Sequence, residues 1–186
     1  MLNSFFGYGS LVNTATHDYP NTRPANLPGW RRQWVQSTIN NFAFLTAIPD
    51  PLNQIAGLIA DIGDIGWQVL DQREAAYDRV TLNAKKFKGI KIYQAKPSAI
   101  APVGSGKPVL LSYLDCVVQG YNIVYGHDGV RDFFHSTSGW DTPILDDRKA
   151  PIYPRAQVLL TSETNLTDDH IRMVGATVIQ KFGCSR

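Results

Sequence analysis

What most constrains the fold of this chain is a change of hydrophobic period near residue 110. Before that point apolar residues come in short β-type runs cut by proline and glycine. After it they recur at helical spacing, as in Tyr113, Val117, Tyr121 and Val124. Short runs rich in β-branched and aromatic residues read as strands, and an i, i+4 repeat reads as a helix packed along one face. Strands followed by helices predict an α+β chain with its sheet built early, or a small mixed β-barrel flanked by helices.

Taken in order, residues 4–8 predict a first strand. From Asn13 to Pro28 the chain is polar and broken by Pro20, Pro24 and Pro28, which predicts an irregular connection. Further strands are expected at Trp30–Gln36, Phe42–Ile48 (ended by Pro49-Asp50-Pro51), Ile55–Asp61, Arg79–Leu82 and Gly89–Tyr93, with a short one at Val109–Leu111. A helix from about Asp64 to Ala76, capped by Asp64, interrupts the series. Ala99–Pro108 reads as loop. Tyr113–Val124 and Val130–Phe134 read as helical, Ser136–Arg155 as loop, and a last helix is expected from Thr167 to about Lys181. Thr167 would cap that helix, Ile171, Val174 and Val178 would line its apolar stripe, and Gly183 would stop it.

Composition narrows the function classes. At 186 residues, with 44% hydrophobic residues and a net charge of +2, the sequence predicts one globular domain spanning 1–186, with enough core to need no staples. No basic block points to nucleic acid or to an anionic membrane. No apolar run approaches the ~18 residues of a membrane span. Two cysteines, Cys116 and Cys184, are too few for a disulfide framework and have no zinc spacing with histidine. No basic start followed by an apolar core marks a signal peptide, so the expectation is cytoplasmic.

Two stretches can carry chemistry. Phe5-Phe6-Gly7-Tyr8-Gly9-Ser10-Leu11-Val12 puts two glycines and a serine just after a strand. Glycine lets backbone approach another group closely, and successive N–H groups turned outward can hold an anion or an oxyanion. The same pattern also suits an ordinary β-turn. In Leu70-Asp71-Gln72-Arg73-Glu74-Ala75-Ala76-Tyr77, Glu74 stands beside small apolar neighbours. Partial desolvation there would raise its pKa and suit it to general-base work, whereas a solvated helix glutamate paired with Arg73 or Arg79 would do nothing of the kind. Histidines 17, 127, 135 and 170 have no ligand spacing. Ser10 lacks the second glycine of a nucleophile elbow, which argues against a Ser–His–Asp triad. The charged loop Asp146–Arg155, with its tyrosine, could line a site or form a salt-bridged surface. Phosphate-loop and dinucleotide fingerprints are absent.

Together these segments resemble the γ-glutamylcyclotransferase superfamily, which includes AIG2-like and ChaC-like proteins. Phe6-Gly7-Tyr8-Gly9-Ser10-Leu11 looks like the family's Tyr-Gly-Ser loop. Ala25–Arg32 looks like its Leu-x-Gly-aromatic-Arg segment, and Leu70–Glu74 like its Leu-Asp-x-x-Glu motif. Ser112-Tyr113-Leu114 is similar to a later strand-end motif. The order and rough spacing match over about the first 115 residues. Leu11 stands where many members have Asn, and Ala75 and Ala76 stand where ChaC-like members have glycines. The resemblance implies a small mixed β-barrel flanked by helices and an enzyme that cyclises a γ-glutamyl amide to 5-oxoproline without a cofactor. It implies Glu74 as the catalytic acid/base, Tyr8, Gly9, Ser10 and Leu11 as substrate-binding residues, and a small-molecule γ-glutamyl substrate as the partner. A non-catalytic ligand-binding module and a Ser10-dependent amidase remain the alternatives.

Overall fold

The computed structural model describes residues 3–180. The strands are β1 (Ser4–Gly7), β2 (Arg23–Gln36), β3 (Ala43–Asp61), β4 (Tyr77–Thr81), β5 (Lys91–Ala95), β6 (Val109–Leu110), β7 (Thr137–Ser138), β8 (Ile144–Asp146) and β9 (Val178–Gln180). The helices are α1 (Trp67–Arg73), α2 (Leu111–His135) and α3 (Thr161–Met173). Six strands form one mixed sheet in the order β4-β5-β1-β3-β2-β7. The other three form a small parallel sheet, β6-β8-β9. The α+β reading holds.

The closed barrel does not form among the described residues, because the six-stranded order is open, with β4 and β7 at its edges. The sheet curls without closing. Ala95 at the end of β5 donates its N–H to Thr46 Oγ1 at the start of β3 (3.0 Å), and the Tyr77 hydroxyl donates to Leu45 O (2.8 Å). These side-chain bonds tie β5 and β4 to β3 beyond the point where β1, which lies between β3 and β5, stops at Gly7. The end of β1 therefore opens onto a cleft inside the curl.

Prolines misled the reading of β2 and β3. The expected Pro-rich connection ends early, and β2 begins at Arg23 with Pro24 and Pro28 inside it. Apart from Arg32 and Gln33, where β7 pairs, β2 has a strand on one side only, an edge setting that tolerates proline. The two strands expected at 42–48 and 55–61 are one, β3. Trp30 pairs with Pro49 and Pro28 with Gln54, so residues 50–53 bulge opposite Gly29, which takes φ +80°. The Asp50 carboxylate accepts the Leu52 N–H inside that bulge (3.1 Å). Here proline bends the strand instead of ending it.

Helix α1 is shorter than expected and starts after Gly66, with Asp64 in a preceding 3-10 turn. The two helical stretches after residue 110 form one run broken at Gly126, which has φ 68°. The last helix starts at Thr161, where Glu163 accepts the Leu160 N–H (2.8 Å), and not at Thr167. Thr167 is buried within it, donating to Glu163 O (3.3 Å). The chain turns at Gly175 (φ 68°) and Val178 enters β9; Lys181, Gly183 and Cys184 lie outside the described residues.

The core joins Phe6, Leu45, Ile55 and Leu58 of the sheet to Leu114, Val117, Tyr121 and Phe133 of α2. Gly120 of α2 lies against the backbone of Asn13, where a Cβ would come within 2.6 Å of the Asn13 nitrogen. The Asn13 amide reaches Cys116 O and Gln119 Oε1, both at 2.9 Å. The segment after β1 is thus fastened to α2, which carries the mouth of the cleft.

Candidate active site

Past Gly7 the chain turns away from the sheet into a 3-10 turn, Ser10–Val12. Val12 N–H bonds to Gly9 O (2.9 Å) and Asn13 N–H to Ser10 O (3.1 Å). The N–H groups of Gly9, Ser10 and Leu11 meet no acceptor among the described residues. The Leu11 side chain is buried in a second apolar cluster with Phe5 and Leu70, so only its backbone is available to a ligand. Gly9 has no room for a side chain, since a Cβ there would sit 2.7 Å from the Tyr113 hydroxyl.

Arg32 sets the direction of this loop. It is fully buried, and its Nε donates to Tyr8 O (3.1 Å), which also lies 3.0 Å from the Tyr121 hydroxyl. Its other nitrogens reach Ser136 Oγ, Ala56 O and the Tyr121 hydroxyl, and its guanidinium lies over the Phe133 ring. In a trans peptide the C=O and the following N–H point opposite ways. Holding the Tyr8 carbonyl toward Arg32 therefore aims the Gly9 N–H the other way.

Glu74 follows α1, with its N–H bonded to Leu70 O (2.9 Å). Its side chain is only 15% exposed, and Oε1 is 3.3 Å from Arg73 Nε. Burial raises its pKa above the usual carboxylate value, while the charges of Arg73 and Arg155 pull it back. The expected desolvation is present, but Ala75 is exposed; the apolar surroundings come from tyrosines. Tyr8, Tyr77, Tyr93 and Tyr113 line a narrow cleft with Glu74, Gly9 and Ser10. Burial pushes the phenols of Tyr8, Tyr77 and Tyr113 upward, so they stay protonated. The hydroxyls of Tyr8 and Tyr77 are committed to Tyr93 O (2.5 Å) and Leu45 O (2.8 Å).

The structure thus brings the five residues singled out in the sequence to one cleft. Arg73 joins the two halves, with Nη2 bonded to Ser10 Oγ (3.2 Å) and Nη1 to Thr16 O (3.0 Å). Arg79 is not the partner of Glu74; it pairs with Asp71 (3.5 Å) and lies over Trp67. No histidine lines the cleft. His17 is occupied by Leu11 O through Nε2 (3.0 Å) and by Tyr19 N–H through Nδ1 (3.2 Å), so no Ser10–His pair is assembled.

The cleft opens into a cavity of about 430 Å³, lined on one side by Phe42, Phe44 and Tyr77 and on the other by Ile152, Tyr153 and Arg155. Both readings of the Asp146–Arg155 loop apply, to different halves. Asp147 is buried and accepts from Ser112 N, Ser112 Oγ and Ile152 N (2.8, 2.6 and 2.8 Å). Arg148 pairs with Asp115 and Asp168 (2.7 and 2.9 Å). The second half of the loop faces the cavity. Tyr153 and Arg155 carried no motif, and only a tyrosine and an arginine in a Pro-bounded loop hinted at them.

Among the described residues, no helix is long and apolar enough to cross a membrane. A curled mixed sheet with a tyrosine-lined carboxylate at the end of its central strand defines the class of fold. Neither a family model nor a curated protein matches the sequence. Among solved structures, a γ-glutamyl cyclotransferase is similar over 89% of this chain and 98% of its own, at 14% identity and a TM-score of 0.52. A γ-glutamyl cyclotransferase from yeast specific to glutathione aligns with 90% of this chain and 96% of its own, at 16% identity and a TM-score of 0.43. The chain has the γ-glutamylcyclotransferase-like fold.

Proposed function

We propose that this chain is a γ-glutamylcyclotransferase-type enzyme that converts a γ-glutamyl amide to 5-oxoproline and releases an amine or amino acid. The observation that carries the proposal is the pairing of a desolvated Glu74 carboxylate with the unpaired N–H groups of Gly9, Ser10 and Leu11 in one cleft. The likeness in fold to a γ-glutamyl cyclotransferase agrees with it.

The substrate's α-amine is an ammonium and cannot attack until it loses a proton. Glu74 takes that proton, and its raised pKa makes it a stronger base than an ordinary carboxylate. The amine nitrogen then bonds to the γ-carbonyl carbon of the same molecule and closes a five-membered ring. Negative charge moves onto the carbonyl oxygen, where the loop N–H groups of Gly9–Leu11 can meet it or hold the α-carboxylate. As the tetrahedral centre collapses, the bond to the leaving nitrogen breaks. Glu74 returns a proton to that nitrogen, then takes the surplus proton from the ring nitrogen and passes it on, so that the lactam keeps one N–H and the amine departs as an ammonium. Holding the γ-glutamyl chain folded is worth much of the rate, since well-oriented intramolecular reactions reach effective molarities of about 10⁵–10⁸ M.

The test is incubation with a panel of γ-glutamyl amino acids, peptides and amines, with 5-oxoproline as the readout. Glu74→Gln should keep the fold and lower turnover by roughly 10²–10⁴-fold. Wild-type rates in that variant, or no 5-oxoproline from any member of the panel with the unaltered protein, would sink the proposal.

A further inference from the structure

We infer that His17 is a positioning residue for the N–H groups of Gly9, Ser10 and Leu11, and that it holds them toward the cleft only while its ring is neutral. This rests on the proposed reading of those groups as the anion-binding half of the Glu74 cleft. It adds what keeps them aimed and the condition under which they lose their aim.

Every carbonyl of the loop is tied down. Tyr8 O accepts from Arg32 Nε (3.1 Å), Gly9 O from Val12 N–H (2.9 Å), and Ser10 O from Asn13 N–H (3.1 Å) and the Thr16 hydroxyl (3.0 Å). Leu11 O, the last of them, is held by His17 Nε2 (3.0 Å). Within a trans peptide, C=O and N–H point opposite ways, so the first three ties aim the N–H groups of Gly9, Ser10 and Leu11. The fourth acts one step back. Holding Leu11 O toward His17 turns Val12 N–H the other way, and that N–H is the tie on Gly9 O. The other ties come from backbone N–H groups, hydroxyls and a guanidinium whose charge is fixed. Only His17 among them can change its proton near neutral pH.

The hydrogen bonds also fix which form of the ring does this. Tyr19 N–H can only donate, and it meets His17 Nδ1 at 3.2 Å, so Nδ1 carries no proton. The ring is therefore the neutral form protonated on Nε2, and Nε2–H donates to Leu11 O. A proton added to Nδ1 would set two donors against each other. A ring that kept Leu11 O would then push Tyr19 away, and a ring that swung clear of Tyr19 would take Nε2 from Leu11 O. Either movement shifts the segment that follows the loop.

The surroundings of the ring favour the neutral form. Phe5 and Tyr19 pack against it, with ring centroids 6.5 and 5.2 Å away. Arg73 of α1 faces it, and Asp18 and Arg155 share the open groove of about 580 Å³ that His17 lines. Burial lowers its pKa below the usual histidine value, and Arg73 acts the same way, while the bond to Leu11 O and the charge of Asp18 oppose them. A protonated His17 would also repel Arg73, which itself holds Ser10 Oγ (3.2 Å) and Thr16 O (3.0 Å). The hold is thus complete at neutral pH and is lost on acidification, as the ring charges below the usual histidine range.

The experiment uses the Glu74→Gln protein, in which the carboxylate of the cleft no longer titrates. NMR follows the His17 ring and the backbone N–H signals of Gly9, Ser10 and Leu11 from mildly alkaline to mildly acidic pH. The three N–H signals should shift with the midpoint of the His17 ring. The dissociation constant for γ-glutamylglycine, measured by calorimetry, should rise about two- to tenfold across that midpoint, which is the worth of one neutral hydrogen bond. A second change in the same protein, His17→Gln, can still donate to Leu11 O but takes up no proton. It should keep the tighter binding at both ends of the range and lose the step in the N–H signals. Loop signals that stay put while the His17 ring titrates overturn the inference, and so does a step that survives His17→Gln. If neither γ-glutamylglycine nor any other member of the panel binds at any pH, the cyclotransferase reading fails, while matched NMR midpoints still support the hold of His17 on the loop.

Discussion

Glu74 and Arg73 are adjacent in sequence, yet they act on the cleft from different directions. Burial disfavours the ionised carboxylate, so its proton leaves only at a higher pH than for a solvated glutamate; Arg73 favours the ionised form and opposes that shift. If Glu74 must be ionised to accept the α-ammonium proton, kcat/KM should rise with pH along a limb above the ordinary carboxylate range. Removing the cation in Arg73→Met should move that limb to higher pH. A pH profile of 5-oxoproline release checks this, and a limb that stays put or moves down contradicts the electrostatic role. Glu74 was legible because a carboxylate between a helix and a strand forms part of a recognisable segment. The link from Arg73 to Ser10 was not, because it depends on how α1 packs against the loop after β1.

At the level of elements, α2 does more than cover the sheet. Tyr121 belongs to the helical repeat that revealed α2, and by period alone it reads as one more apolar residue of the stripe. In the fold its ring is buried, while its hydroxyl accepts from Arg32 Nη2 (2.8 Å) and lies within reach of Tyr8 O and Ala56 O. Tyr121→Phe keeps the ring and removes those bonds. It should cost about 1–3 kcal/mol in urea unfolding with an unchanged m-value, and it should raise KM by loosening the Tyr8–Gly9 peptide. A loss of stability with KM unaltered would confine Tyr121 to a structural part. Element type was readable from period here, as it was for β1, β5 and the two stretches of α2. Element ends were misplaced where one residue can serve two purposes. Pro49 and Pro51 mark a bulge, and Asp168, expected at a helix start, instead pairs with Arg148.

Across the whole molecule, one ion-pair cluster ties α2, α3 and the Asp146–Arg155 loop together. Arg148 binds both carboxylate oxygens of the nearly buried Asp115 on α2 and reaches Asp168 on α3, and hydrogen bonds to Asp115 hold its guanidinium charged. With Asp147 seated on Ser112, this fixes the start of the loop whose far half carries Tyr153 and Arg155 into the cavity. Arg148→Met would leave Asp115 buried without its cation, and breaking such a pair costs about 3–5 kcal/mol when it is fully buried. Since Arg148 keeps some exposure, a loss of about 2–4 kcal/mol is expected in chemical denaturation. A change under 1 kcal/mol would show that the loop holds without it.

The sequence alone determined what is local. It set the type of the main strands and helices, though not β7 and β8, which lie in a stretch expected to be loop, nor β9, which lies in the expected last helix, and it placed a glycine loop after the first strand and a glutamate after the inserted helix. Backbone propensity, hydrophobic period and glycine chemistry act over a few residues and can be read there. Tertiary structure decided the rest. It bent one strand where two were expected, left the sheet open, and stopped β1 short so that a cleft appears at its end. It also delivered Tyr153 and Arg155 to that cleft from a loop with no motif. Those outcomes depend on buried contacts between segments far apart in the chain, such as Arg32 with Tyr8 and Arg148 with Asp115, and no local pattern encodes such pairings.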